Sequence, residues 1–222
     1  MTSMTLFHFP GACSRVTMSA LEEIGLKFEA VSVNLRKNEQ VSERYLKYNP
    51  KGKVPALRFG TRILTENAAI LDFLNRCHPE AGLLPKSDDP AEAAGGLSDL
   101  VWCSSTIHPI VRQIRMPMKW TKGDPEAVRL DGMEKFSKIC ATISSRVSAE
   151  GWWYGKHWSI LDVYLYWAYS TTGRGGFPIE SYPELVAHAE RVCERPSFQR
   201  ALRREMEAAD ALGVDRPLIG IQ

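Results

Sequence analysis

One cysteine of this chain, Cys13, occupies a position where a thiol could be reactive. The apolar run 5–9 predicts a strand, residues 15–24 carry the spacing of an amphipathic helix, and Cys13 lies between the two. At a helix N-terminus, unpaired backbone N–H groups and the helix dipole stabilise an anion, so a thiol there ionises more readily. A buried structural cysteine is the alternative, and these residues alone support both interpretations equally.

The other four cysteines lie inside helical patterns, where cysteine usually behaves as a small core residue. They form no C-x-x-C pair and no zinc-type spacing, so we expect reduced thiols and no metal site. These residues are Cys77, Cys103, Cys140 and Cys193.

Composition narrows the class of protein. The chain has 222 residues, a net charge of +2 and 44% hydrophobic residues, which fits one large globular domain or two smaller ones. The small net charge and the lack of a Lys/Arg run argue against a nucleic-acid partner. No secretory signal and no long apolar stretch are present, so we expect a soluble, cytoplasmic protein without a membrane partner.

Strand and helix signals alternate in residues 1–84, which predicts a small α/β domain with a mixed sheet. Gly60 marks the turn of a β-hairpin, and Gly25 and Pro79 follow predicted helices. The predicted strands are 5–9, 28–35, 54–59 and 62–64, and the predicted helices are 15–24, 39–48 and 66–77.

Residues 85–90 predict a linker, because they contain two prolines and small polar residues. Strand signals end there, so residues 91–222 predict an all-helical second domain. Its predicted helices are 91–115, 125–149, 160–172, 183–194 and 197–212.

The sequence Ser159-Ile-Leu-Asp162 predicts a capping box at the start of an apolar helix. Trp158 and Val163 flank it as a hydrophobic staple. Because such a helix is buried, we interpret this box as a folding element of the second domain.

A proline stands inside the third predicted strand, in the sequence Val54-Pro55. Proline removes a ladder donor, so it marks an edge or a tight turn, and the bond before it can be cis. A surface turn is one interpretation. In the other, the exposed backbone binds an extended peptide by strand addition. A thiol at the first helix, faced by such a strand, is the arrangement of the thioredoxin fold.

With these features in place, almost the whole chain resembles a cytosolic glutathione transferase, most closely the bacterial beta class, whose active-site residue is a cysteine. The resemblance implies a thioredoxin-like N-terminal domain with a four-stranded sheet and an all-α C-terminal domain. The segments that carry it are Pro10-Gly-Ala-Cys-Ser14, Asn49-Pro-Lys-Gly-Lys-Val-Pro-Ala-Leu57, Leu64-Thr-Glu-Asn67, Ser159-Ile-Leu-Asp162 and Glu194-Arg-Pro-Ser197.

The resemblance implies roles for five residues. Cys13 faces the sulfur of glutathione, and either hydrogen-bonds its thiolate or forms a mixed disulfide. Val54 pairs through its backbone with the cysteinyl part, with Pro55 fixing the turn in cis. Glu66 and Asn67 bind the γ-glutamyl end. Asn67 lies at a predicted helix N-terminus, which suits the γ-glutamyl carboxylate, and the Glu66 carboxylate can pair with the ammonium group. Asparagine replaces the serine that is commoner at position 67 in the family.

Further candidates are less specific. Lys53 and Lys37 could bind the glycyl carboxylate, although solvated lysines are common on such loops. Ser14 is second to Cys13 as the catalytic residue, and it could instead cap the first helix or donate to the glutathione sulfur. His108 matches a histidine that reaches toward the cysteine in the beta class. Here Pro109 follows it and can kink the helix, so His108 could equally lack a catalytic role.

The implied function is activation of the glutathione thiol for attack on a small hydrophobic electrophile, in a homodimeric detoxification enzyme. The alternatives are a glutathione-dependent thiol-disulfide reductase, an ether-cleaving enzyme or an isomerase on the same scaffold, and a non-enzymatic ligand-binding protein. We expect the helical domain to contribute the apolar substrate pocket. Candidate lining residues are Phe9, Ile110, Met116, Trp120, Tyr166 and Trp167.

Overall fold

The chain forms two compact units in the computed structural model. The first consists of the N-terminal segment together with a C-terminal helix, and the second is the segment between them. The described residues are 4–217, 220 and 221, with the backbone alone for 148–150. The first unit contains residues 4–83 and 195–217, and the second contains 84–194, 220 and 221.

The first unit contains a mixed four-stranded sheet, as predicted. The strand order is β2-β1-β3-β4, with β1 and β2 parallel and the other pairs antiparallel. The second strand ends earlier than predicted, because Asn34 starts a 3₁₀ turn by accepting the backbone N–H groups of Arg36 and Lys37. The strands are β1 (Met4–His8), β2 (Glu29–Ser32), β3 (Ala56–Phe59) and β4 (Arg62–Thr65).

One predicted helix of this unit, 39–48, is interrupted. A 3₁₀ turn covers Glu39–Val41, Ser42 then takes an extended backbone conformation, and its hydroxyl accepts the N–H of Tyr45 to start a new short helix. Serine favours such local caps over a helix interior. The helices of the unit are α1 (Ser14–Ile24), α2 (Glu43–Leu46), α3 (Asn67–Cys77) and α9 (Pro196–Leu212).

Helix α9 packs against α1 through ion pairs. The carboxylate of Glu22 accepts from Arg200 at 2.8 Å and from Arg204 at 2.6 Å, and Glu23 accepts from Arg195 at 2.6 Å. By these contacts α9 groups with the first 83 residues, whereas the sequence analysis assigns it to the helical domain. The domain limits 1–84 and 91–222 stay a prediction.

The second unit is helical. The single helix predicted over 91–115 is divided by a π-helical turn at Cys103–Ile107, where the N–H of His108 bonds the carbonyl of Cys103. Pro109 explains this turn, because proline has no N–H for an ordinary helical bond and its ring needs space in the preceding turn. The helices are α4 (Pro90–Trp102), α5 (His108–Arg115), α6 (Pro125–Glu150), α7 (Ile160–Gly173) and α8 (Pro183–Glu194).

The predicted capping box is present at the start of α7. The carboxylate of Asp162 is fully buried and accepts the backbone N–H of Ser159 at 2.9 Å and that of Trp153 at 2.8 Å. It also contacts Nε2 of His188 at 3.0 Å. One aspartate therefore joins the start of α7, the preceding loop and helix α8.

None of the helices in the described part of the chain is long and apolar enough to cross a membrane.

The buried His8 makes the stability of the first unit depend on pH. Burial, with a contribution from the Arg204 guanidinium, lowers the pKa of His8 from 6.5 to about 4. Between these values the unfolded chain binds more protons than the folded protein, so the free energy of unfolding falls as the pH falls. We expect a loss of about 2 kcal/mol from this group between pH 7 and pH 5.

Urea unfolding of the wild type and His8→Gln at a series of pH values measures this loss. The variant should show a flatter dependence over that range, whereas Ser32→Ala, which removes the Ser32 hydroxyl beside His8, should keep it. Identical slopes for wild type and His8→Gln would contradict the assignment.

Candidate functional site

Cys13 is the N-cap residue of α1, as the sequence predicts for a thiol at the start of a helix. Its Sγ lies 3.6 Å from the carbonyl oxygen of Val54, and the residue is 8% exposed. Gly11, two residues before Cys13, has φ 75°, in the left-handed region that glycine adopts without strain. The thiol is thus at the positive end of the α1 dipole, where an anion is favoured.

The segment that carries Val54 is fixed by side chains from α2 and the loop after it. The carbonyl of Lys53 accepts the Tyr45 hydroxyl at 2.6 Å and the Asn49 amide at 2.7 Å. Burial raises the pKa of Tyr45 to about 12, so its hydroxyl stays a donor. Gly52 has φ 61°, and a Cβ there would lie 3.2 Å from the carbonyl oxygen of Gln40.

The Val54-Pro55 bond is cis, as the sequence analysis expects. Ladder pairing of β3 begins at Ala56, which pairs with Phe7 on one side and Thr65 on the other. Val54 therefore lies outside the ladder, at the end of a central strand, where an extended peptide could pair with its backbone.

Glu66 precedes α3 with an unusual backbone conformation. Its φ is 73° and its ψ 123°, a region that a non-glycine residue occupies at a cost of about 1–3 kcal/mol. Its half-exposed carboxylate contacts Nζ of Lys51 at 2.9 Å. Such strain is concentrated at functional sites, and nothing in the sequence predicts it.

Asn67 is the first residue of α3, and its side chain is buried. The amide nitrogen donates to the carbonyl of Cys13 at 2.9 Å, and the amide oxygen accepts the Thr17 hydroxyl at 2.7 Å. The family resemblance implies that this side chain binds the γ-glutamyl end of glutathione. In the structure both of its polar atoms bond α1 residues, so a ligand at the start of α3 would meet backbone N–H groups.

Ser14 contacts the end of β1. Its hydroxyl is fully buried, accepts the N–H of Phe9 at 3.2 Å and donates to the Phe9 carbonyl at 3.3 Å. The expectation that Ser14 caps α1 is wrong, since Cys13 is the N-cap residue and Ser14 lies within the helix. A catalytic role for Ser14 stays a prediction, weaker than that of Cys13.

Lys53 and His108 remain predicted site residues. Lys53 is exposed on the loop before Val54. His108 begins α5 directly after the π-helical turn, and its ring centroid lies 4.6 Å from that of Trp167.

The apolar candidates of the helical unit differ in exposure. Tyr166 and Trp167 are buried within α7, whereas Met116 and Trp120 are 37% and 48% exposed beyond the end of α5. Their role as pocket residues stays a prediction.

A buried ion pair that sequence reasoning missed supports the loop before Cys13. The carboxylate of Glu205, on α9, is fully buried and contacts Nε of Arg15 at 2.6 Å. The same carboxylate accepts the N–H of Gly11 at 3.0 Å. Polar residues on otherwise apolar faces of α1 and α9 could have indicated a buried ion pair. Periodicity alone does not show which residues pair when they are 190 positions apart.

The other cysteines differ in exposure. Cys103 and Cys140 are buried, as predicted, and burial raises the pKa of each thiol. Cys77 is exposed, so its predicted core position is wrong, and Cys193 is half-buried. Among the residues that the structure describes, no group of three or more His, Cys, Asp or Glu side chains could hold a metal ion.

A thiol at the first helix of a thioredoxin-like unit, next to a cis-proline segment, defines the class of the site. Residues 2–76 match the family model of the glutathione S-transferase N-terminal domain. Glutathione S-transferase GstA of Escherichia coli O157:H7 is 30% identical over 212 residues, which cover 91% of this chain and 98% of that protein. A maleylacetoacetate isomerase of Pseudomonas aeruginosa is 29% identical, with coverages of 82% and 87%.

Solved structures agree with these relatives. A glutathione transferase homologue from Sulfitobacter with bound glutathione has a TM-score of 0.83 at 29% identity, covering 93% of this chain and 100% of that one. A beta-class glutathione S-transferase of Sphingomonas chungbukensis has a TM-score of 0.78 at 30% identity, with coverages of 90% and 98%. The chain belongs to the glutathione S-transferase family, and the predicted family and fold are confirmed.

We predict that Glu205→Gln destabilises the protein by about 3–5 kcal/mol, because it leaves the charge of Arg15 buried without its carboxylate. Urea unfolding measures the loss. Asp210→Asn removes a carboxylate of the same helix whose ion pair with Arg216 is exposed, and we expect little change from it. Equal stability of Glu205→Gln and Asp210→Asn would contradict a structural role for the buried pair.

Proposed function

We propose that the protein is a glutathione transferase, which activates the thiol of glutathione for attack on small apolar electrophiles. The observation that carries this proposal is the Cys13 thiol at the N-terminus of α1, 3.6 Å from the carbonyl of Val54. Family membership and a relative's structure with bound glutathione support glutathione as the co-substrate.

The proposed binding mode uses three parts of the first unit. The backbone of Val54 pairs with the cysteinyl part of the tripeptide, which brings its sulfur to Cys13. The γ-glutamyl carboxylate lies at the N-terminus of α3, and its ammonium pairs with Glu66. Lys53 binds the glycyl carboxylate as a point charge.

The proposed chemistry starts from an ionised glutathione thiol. Free thiols are mostly protonated at neutral pH. The α1 N-terminus stabilises the thiolate, together with the Cys13 S–H once it turns from the Val54 carbonyl to the glutathione sulfur. The thiolate sulfur then forms a bond to the electrophilic carbon, and the leaving group departs with its electron pair. His108 and Ser14 remain candidates for assisting this step, through proton transfer or a hydrogen bond.

The proposal extends to the setting of the enzyme. In this proposal residues 1–84 form the glutathione-binding domain. The helical domain, residues 91–222, contributes the apolar surface that receives the electrophile. We further propose a homodimer that acts in detoxification in the cytoplasm.

A second candidate function is thiol-disulfide exchange, which is favoured by a cysteine, rather than a hydroxyl residue, at the N-cap of α1. In this reaction the Cys13 thiolate attacks one sulfur of oxidised glutathione. A Cys13–glutathione disulfide forms, and one glutathione thiolate leaves.

Oxidised glutathione distinguishes the two functions. If exchange occurs, mass spectrometry should show one glutathionyl group on Cys13, removed by dithiothreitol and absent in Cys13→Ala. Cys77→Ala, which removes an exposed thiol, is the matched control and should keep the adduct. Conjugation of 1-chloro-2,4-dinitrobenzene should fall about tenfold or more in Cys13→Ala if the thiol stabilises the thiolate. Unchanged conjugation in that variant would exclude Cys13 from the conjugation step.

Glu66→Gln tests the γ-glutamyl contact. Loss of one charge-assisted bond to the ammonium should weaken glutathione binding about tenfold by isothermal titration calorimetry. Lys51→Met is the control, because it removes the exposed ion-pair partner of Glu66 and leaves its carboxylate in place. Wild-type affinity in Glu66→Gln would argue against this binding mode.

A further inference from the structure

The buried side chain of Asn67 joins two helices at the reactive thiol. Its amide nitrogen donates to the Cys13 carbonyl at 2.9 Å, and its amide oxygen accepts the Thr17 hydroxyl at 2.7 Å. Asn67 is 4% exposed and Thr17 is fully buried. Both bonds are therefore shielded from water, where a missing partner leaves an unsatisfied group.

The chemistry of the two partners fixes the orientation of the amide. The carbonyl of Cys13 only accepts, so the atom that meets it must be the NH₂ group. The oxygen is then directed to the Thr17 hydroxyl, which can donate. An aspartate at position 67 would keep the second contact and lose the first, and an alanine would lose both.

The acceptor belongs to the residue whose thiol is proposed to act. Cys13 is the N-cap of α1, and its carbonyl also accepts the N–H of Val16, in the first turn of the helix, at 3.1 Å. The Asn67 amide and the Val16 N–H both donate to this carbonyl and hold the peptide plane after Cys13. This plane fixes one side of the Cys13 backbone, its helical φ of −60° and ψ of −13° then direct the Cα–Cβ bond, and the contact with the Val54 carbonyl holds Sγ.

We propose that Asn67 is a positioning residue, which couples the start of α3 to the Cys13 thiol. The inference rests on the proposed function of this site, in which the γ-glutamyl carboxylate binds the N-terminus of α3. The backbone of Asn67 belongs to that helix turn, and its side chain holds Cys13. These side-chain bonds hold the thiol in the free protein already. Asn67 therefore affects the chemical step more than glutathione affinity.

The test compares variants that remove one or both contacts. Asn67→Ala removes both, Asn67→Asp replaces the donor with an acceptor, and Thr17→Val removes only the second partner. Ser19→Ala is the matched control, because the Ser19 hydroxyl is buried on α1, like that of Thr17, and has no hydrogen-bond partner among the described residues. If Asn67→Ala does not fold, Asn67→Ser replaces it in the test.

Two readouts separate positioning from a general loss of stability. The first is the pH profile of Cys13 alkylation by iodoacetamide, followed on the Cys13 peptide by mass spectrometry without glutathione. The second is the division of the kinetic effect between kcat and the KM for glutathione. Melting curves establish that each variant is folded at the assay temperature.

We expect alkylation of Cys13 at neutral pH, and kcat, to fall about tenfold in Asn67→Ala and Asn67→Asp, with KM changed less than about twofold. The alkylation midpoint should move to higher pH, most strongly in Asn67→Asp. Thr17→Val should give a smaller effect in the same direction, and Ser19→Ala none.

Three results would overturn the proposal: an unchanged alkylation profile in folded Asn67→Ala, a raised KM with unchanged kcat, or equal effects of Asn67→Ala and Ser19→Ala. If neither the wild type nor any variant conjugates glutathione, the proposed transferase function is wrong, whatever the role of Asn67. The alkylation profile then still decides whether Asn67 positions the thiol.

Discussion

The loop that precedes Cys13, between β1 and α1, is held in position by one buried carboxylate, that of Glu205. It is contributed by α9, near the C-terminus, yet it contacts Arg15 in the first helix and the backbone of Gly11 in the loop before it. A buried ion pair loses much of its Coulomb energy to desolvation, so its value lies in its geometry and in the additional hydrogen bond. Because Gly11 also donates to this carboxylate, the pair holds the turn before Cys13 as well as the two helices. The thiol is thus placed by residues from both ends of the chain.

Three different parts of the first unit hold Cys13 in place. Glu205 acts on the loop before it, Asn67 on its carbonyl, and Val54 on its thiol. Each contact comes from a separate element, so a displacement of the sulfur would strain contacts with more than one element. A nucleophile or donor held in this way needs little reorganisation when charge develops beside it, which is the physical basis of electrostatic catalysis.

The sequence predicts the strands and helices better than the turns that connect or interrupt them. Strands and helices follow from apolar periodicity, which is a local pattern. Cys13 was placed correctly because the boundary between the first strand and the first helix is visible in the residues next to it. The helix predicted over 39–48 failed at Ser42, where a side-chain cap competes with the helix interior. The π-helical turn before Pro109 and the positive φ of Glu66 depend on the packing around them, so no pattern of neighbouring residues indicates them. The inward direction of Asn67 has the same cause, since its partners lie about 50 positions away.

A comparison of two buried carboxylates explains which parts of a site a sequence reveals. Asp162 and Glu205 are both fully buried, and each collects donors from more than one segment. Asp162 could be predicted because one of its donors, Ser159, lies three residues away and forms a known capping pattern. Glu205 could not, because Arg15 and Gly11, which donate to it, lie at the other end of the chain. The chemistry is the same in both cases, and only the sequence distance differs. The residues that hold the Cys13 thiol belong to the second type, since they come from α3, the Val54 segment and α9. A reactive residue can therefore be located from its own neighbours, whereas the contacts that position it become visible only in the folded protein.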